Sequence, residues 1–144
     1  LNVWGIIQDE YYAAKVEKSF PPGIIEWRGF LETDKLQKEL GKCRALLNTP
    51  KWNEAYGNVV VEALACGVPV IAYRRGGPSE IILHGETGFL VEPDDKDSLL
   101  SCLKLVKKIN RRNCRDWVEN NASSNIFASK VLSWLNKVIK ECKF

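Results

Sequence analysis

At 144 residues the chain is long enough for a real hydrophobic core and too short for more than one domain of ordinary size. Its 45% apolar and 27% charged content is that of a globular protein, and a net charge of +3 is too small to imply nucleic acid as a partner. The longest apolar run, Val68 to Tyr73, falls far short of the roughly 20 residues that span a bilayer, and no N-terminal signal pattern is present.

Five scattered cysteines (Cys43, Cys66, Cys102, Cys114, Cys142) lack Cys-x-x-Cys spacing, and there is one histidine. That inventory makes neither a disulfide framework nor a zinc site, and a reducing cytoplasm is the expected compartment. The chain opens at Leu1 and contains no methionine, so it reads as a piece of a longer protein.

In chain order, Leu1 to Ile7 reads as a short strand and Asp9 to Phe20 as a helix stopped by Pro21-Pro22-Gly23. Ile24 to Arg28 is β-branched and aromatic, a strand closed by Gly29. Thr33 can cap a helix whose apolar positions Leu36, Leu40 and Cys43 follow the helical period. Ala45 to Asn48 is a short buried strand cut off by Pro50. Asn58 starts a helix to Cys66, with Gly67 where a left-handed cap is needed. Pro69 to Tyr73 is a wholly apolar strand, Pro78 opens a short helix, His84 to Gly88 is a turn, and Phe89 to Val91 is the last strand. Asp94 or Asp95 then caps a helix with Leu99, Leu103, Val106 and Ile109 on one face. A polar, basic stretch follows, and a final helix runs from about Ile126 to Lys140.

Strands alternating with helices of about ten residues predict right-handed βαβ units and an α/β, Rossmann-like parallel sheet with helices on both faces. Residues 1–144 read as a single partial domain, without repeat, linker or low-complexity segment. In such sheets ligands sit at the carboxyl ends of the strands, which directs attention to the loop from Pro50 to Gly57.

That loop and the helix after it hold two carboxylates, Glu54 and Glu62, separated by seven residues. Gly57 leaves the backbone uncrowded, so the amides of Gly57, Asn58 and Val59 can face a diphosphate at the positive end of the helix. Glu62, four residues after Asn58 on the same helix face, is placed to take a ribose diol. Glu54 is placed to reach sugar hydroxyls. The plain alternative, two solvated surface carboxylates, has to ignore the surrounding frame of Gly57, Gly67, Pro69 and Gly76-Gly77.

The segment Trp52 to Ala72 closely resembles the Glu-x7-Glu region of family-4 glycosyltransferases. Gly76-Gly77-Pro78-Ser79-Glu80-Ile81-Ile82 and Gly85 to Pro93 are similar to the segments that follow it in that family. The likeness is strong over about Trp27 to Pro93. It implies most of the C-terminal, donor-binding half of a GT-B enzyme, acting with retention, without metal or other cofactor, on a nucleotide diphosphate sugar as co-substrate. Carried over by position, Glu54 matches the catalytic-side carboxylate contacting the transferred sugar, and Glu62 the one holding the ribose. Ala55, Tyr56, Gly57, Asn58 and Val59 match the segment whose backbone meets sugar and phosphate. Arg28, Gly29 and Phe30 match the strand end that holds the base, where the planar guanidinium of Arg28 can stack.

The resemblance also marks departures. The family's first strand, with its Gly-Arg turn and following lysine, has no counterpart, and neither does the acceptor domain. The strands must therefore pair differently, borrow a neighbour's strand, or leave an interrupted sheet. The isolated chain is expected to turn over no sugar and to bind donor weakly at best. The competing reading is a non-catalytic sugar-nucleotide-binding or assembly module. A dinucleotide oxidoreductase is disfavoured, since no Gly-x-Gly-x-x-Gly follows a strand.

Other features read more plainly. Tyr73-Arg74-Arg75 is simplest as a solvated loop, with a cleft lining toward phosphate as the other reading. His84, far along the chain from the carboxylates, is expected to be structural. Lys104, Lys107, Lys108, Arg111, Arg112 and Arg115 read as a solvated helix face, with peripheral contact to an anionic membrane as the alternative. Trp117, Phe127 and Trp134 are expected in core or interdomain packing. Any part of the final helix's apolar stripe left exposed is a surface for a homodimer.

Overall fold

The computed structural model describes residues 1–142. The elements are β1 (Asn2–Trp4), α1 (Glu10–Lys18), β2 (Glu26–Gly29), α2 (Thr33–Gly41), β3 (Leu46–Asn48), α3 (Asn58–Ala65), β4 (Val70–Tyr73), α4 (Pro78–Ile81), β5 (Gly88–Val91), α5 (Lys96–Leu105), α6 (Arg111–Asn121) and α7 (Ser124–Glu141). A 3-10 turn, Val106–Lys108, follows α5. The chain forms two compact units, Leu1–Leu36 and Gln37–Phe144.

In the first unit β1 and β2 pair in parallel, Asn2 opposite Glu26 and Val3 opposite Trp27, and α1 is the crossover between them. Asp9 caps α1, its carboxylate accepting from the Tyr12 amide at 2.8 Å. Thr33 is the first helical residue of α2 rather than its cap. The Glu32 carbonyl accepts the first amides, from Lys35 and Leu36 at 2.9 Å each.

In the second unit β3, β4 and β5 form a parallel sheet in sequence order, with α3 and α4 crossing over. All four residues of β4 are buried, as an unbroken apolar run requires when helices cover both faces of a central strand. Val60, Ala63 and Leu64 of α3 pack on that strand together with Ile81, Ile82, Cys102, Val106, Cys114 and Val118. Burying Val60, Leu64, Val70 and Ile71, all at 0% exposure, contributes about 1.5–3 kcal/mol each.

The fold class is the expected one, parallel sheets flanked by helices, but the strands do not form one ladder. β1-β2 and β3-β4-β5 pair as two separate sheets, one in each unit. A second difference is α6, where the sequence reads as a polar, basic stretch. Its inward positions, Cys114, Trp117 and Val118, form a narrow seam among cations and amides. Among the described residues, no helix is long and apolar enough to cross a membrane.

Candidate functional site: the Glu54 loop and the start of α3

Gly57 adopts φ +95°, a conformation open to glycine, and an added Cβ would lie 3.3 Å from Pro78 Cγ. The turn it makes starts α3 with no side-chain cap. The Gly57 carbonyl accepts from Val60 at 2.9 Å, while among the described residues the Asn58 and Val59 amides have no acceptor. Asn58 and Val59 are exposed, so packed apolar side chains do not plug this end. Free amides at a helix start form an anion site, and the helix dipole adds about 0.3–1 kcal/mol.

The other end of α3 is closed. Gly67, at φ +68°, completes a left-handed cap, with Val68 N–H donating to Ala63 O at 2.8 Å and Gly67 N–H to Leu64 O at 2.9 Å. Two arginines of α6 supply positive charge there. Arg111 donates to the carbonyls of Gly67 (2.7 Å), Cys43 (3.1 Å) and Gly41 (2.6 Å), and Arg115 donates to Ala65 O at 2.8 Å. The expected solvated basic face is therefore corrected in part. These two side chains tie α6 to α3, and Arg112 pairs with Asp116.

Glu54 is half-buried in a parallel bridge to Gly76, and its carbonyl accepts from Gly77 N–H at 2.8 Å. Its carboxylate accepts from the Trp52 indole N–H at 3.3 Å. The loop and the turn touch backbone to backbone. A Cβ at Gly76 would lie 2.0 Å from Glu54 O, and one at Gly77 2.2 Å from Tyr56 O. Glu62 lies exposed on α3, and neither carboxylate has an ion-pair partner among the described residues. One turn on, burial pushes the Cys66 thiol up, Arg115 opposes that shift and Glu62 adds to it. Ala55 and Tyr56 are exposed in the loop.

The chain matches the family model for glycosyl transferases group 1 over residues 7–124. The chain belongs to that family. A sucrose synthase of Solanum tuberosum is 43% identical over 58 residues, covering 40% of this chain and 7% of that protein. An uncharacterized glycosyltransferase of Methanocaldococcus jannaschii, MJ1178, is 34% identical over 110 residues, 76% of this chain and 30% of that one. Among solved structures, Anabaena Alr3699/HepE in complex with UDP-glucose superimposes with TM-score 0.78 at 20% identity, covering 94% of this chain and 40% of that one. This group 1 glycosyltransferase chain thus spans well under half the length of each of these proteins.

The remaining residues of this group 1 chain singled out from sequence lie as follows. Arg28, Gly29 and Phe30 end β2 in the first unit. Arg28 is held by Glu26 and by Asn2 Oδ1 (3.0 Å), Gly29 has φ +67°, and Phe30 is exposed. The expected solvated loop holds for Arg74, which is exposed, but not for Tyr73, which is buried in β4, or for Arg75, which is half-buried. Arg74 pairs with Glu92 at 2.9 Å, and Arg75 donates to Pro50 O at 2.8 Å and to Asp94 at 3.2 Å. His84 is structural, as expected, its Nδ1 accepting from Leu90 N–H at 3.2 Å while the ring meets Phe89 edge-on. All five cysteines are free, and burial pushes the Cys114 thiol up to about 11.

Sequence reasoning passed over two side chains at this site. One is Trp52, whose indole bond to Glu54 sits two residues away and was open to inspection. The other is Asn48 at the end of β3, whose buried Nδ2 has no partner among the described residues. Only its position at a strand's carboxyl end signalled it.

Proposed function

We propose that this chain is the donor-binding part of a retaining, family-4 glycosyltransferase. It would move a sugar from a nucleotide diphosphate sugar to a glycan or glycolipid acceptor. The observation that carries the reading is the open start of α3: two free amides after a left-handed Gly57, with the unpaired carboxylates of Glu54 and Glu62 on either side in sequence. The diphosphate binds at those amides, and Glu62 takes the ribose. Glu54 accepts hydroxyl hydrogens of the sugar and positions it rather than acting as a conventional acid or base. As the sugar departs, negative charge grows on the diphosphate, and fixed amide dipoles stabilise that charge without reorganising. Arg28, Gly29 and Phe30 are the residues proposed to hold the base. The Anabaena complex with UDP-glucose makes that sugar nucleotide the first to test.

Binding is measured by thermal shift and calorimetry with UDP-, GDP-, ADP- and TDP-sugars, and turnover by release of the nucleoside diphosphate. Glu62→Ala is expected to weaken nucleotide affinity about tenfold, the loss of charge-assisted hydrogen bonds. Glu54→Ala is expected chiefly to lower turnover in a protein carrying the acceptor domain. The 144 residues alone are expected to release no nucleotide. Unchanged affinity and rate in both variants would remove the assignment.

A further inference from the structure

Among the described residues, one side chain from outside the Pro50–Gly57 loop donates to its backbone. Arg75 directly precedes Gly76-Gly77, and its Nη1–H meets Pro50 O at 2.8 Å, at the loop's beginning. Its Nη2–H donates to Asp94 Oδ2 at 3.2 Å, and its guanidinium lies 5.7 Å from the centroid of the Tyr73 ring. At 20% exposure its side chain is far more enclosed than the other ion-paired cations described, all 48% exposed or more.

Its anchor is unusual in a second way. Asp94, at φ +65°, is the single non-glycine residue with positive φ among those described. A Cβ disfavours that conformation, although aspartate tolerates it better than most residues do. Glycine would fold there with less strain but would offer Arg75 no carboxylate. Strain kept together with a particular side-chain contact is the mark of a position held for function.

We propose that Arg75, oriented by Asp94, is a positioning residue for Glu54, a role that rests on Glu54 contacting the donor sugar. The guanidinium pins the loop at Pro50, and the Gly76-Gly77 backbone pins it at Glu54. Between these two points the loop backbone that carries Glu54 is fixed. The turn after β5 is thereby tied to the loop after β3. The planar fork is needed for this, because a lysine ammonium on its flexible stem cannot meet both acceptors beside the tyrosine ring.

The test uses Arg75→Lys and Asp94→Gly in the whole chain. The first readout is the Trp52 indole N–H resonance, which reports the loop because that N–H is bonded to Glu54. The second is the ratio of Kd for UDP-glucose to Kd for UDP, from calorimetry. Both variants are expected to move the Trp52 signal, to leave those of Trp117 and Trp134 in place, and to shift the ratio about fivefold against UDP-glucose. Asp94→Gly is expected to melt no lower than the parent, since backbone strain is relieved. A merely structural role would weaken both nucleotides alike and lower Tm. An unmoved Trp52 signal or an unmoved ratio overturns the proposal. A parent chain that binds neither nucleotide overturns the proposed function, and this role with it, a result distinct from an unmoved indole signal.

Discussion

Gly76 shows how narrow the tolerance of this site is. Its φ of +63° already favours glycine, and an added methyl would sit 2.0 Å from the Glu54 carbonyl, a backbone atom that cannot swing away. Gly76→Ala is therefore expected to cost about 2–4 kcal/mol, combining overpacking with a strained φ. It is also expected to displace Glu54, so sugar-nucleotide affinity falls further than stability explains. A urea midpoint and a calorimetric Kd, measured together at saturating native population, check both parts. Gly85→Ala, with open space around its Cβ, is the control for positive φ alone. The glycine pair was visible in the sequence as a frame for the carboxylates. What it frames, a backbone contact to residues 54 and 56, is a tertiary fact.

At the scale of an element, α3 is an asymmetric device. Its negative end is satisfied by the Gly67 turn and by Arg115 at Ala65 O, with Arg111 beside it on Gly67 O, while its positive end is left open. Cations at the carboxyl end of a helix stabilise it, and the absence of a cap at the start leaves the amides for a ligand. Arg111→Ala is expected to destabilise by about 1–2 kcal/mol, because three carbonyls lose a charged donor to water. Arg112→Ala, which breaks only an exposed pair with Asp116, is expected to leave the unfolding midpoint unchanged. Equal effects of the two variants in chemical denaturation would show that the α6–α3 tie contributes nothing. The start and stop of α3 were legible because Gly57 and Gly67 punctuate it. The helix α6 was not legible, since its few apolar positions are outnumbered by charges that serve carbonyls on other elements.

At the scale of the molecule, membership in the glycosyl transferases group 1 family and two parallel sheets flanked by helices frame every statement about the site. The last helix stands apart. No residue of α7 is buried, and Phe127, Leu132, Trp134 and Ile139 are each at least 60% exposed. Of the two expected alternatives, core packing is not found for Phe127 and Trp134, which leaves the interdomain one, whereas Trp117 does pack against the core. Exposed apolar side chains such as Leu132 and Ile139, seven residues apart on one side of α7, call for a cover, worth about 25 cal/mol per Å² buried. We expect the isolated chain to self-associate through α7 and Leu132→Lys with Ile139→Lys to restore a monomer. Sedimentation equilibrium over a range of concentrations measures this. A parent chain that stays monomeric, or a double variant that still associates, contradicts it.

The amino-acid order by itself determined the alternation of strands and helices, the two glycines bounding α3, the spacing of Glu54 and Glu62, and the family resemblance. These are local properties: hydrophobic period, backbone freedom at glycine, and residue type at fixed spacing. Only the tertiary structure decided that the strands pair as two sheets and that Arg75 and Arg111 hold backbone carbonyls of distant segments. It also decided that no residue of α7 is buried. Each of these depends on which distant segments come within hydrogen-bond reach, and the partners of an arginine fork up to 70 residues away leave no periodic trace in the chain.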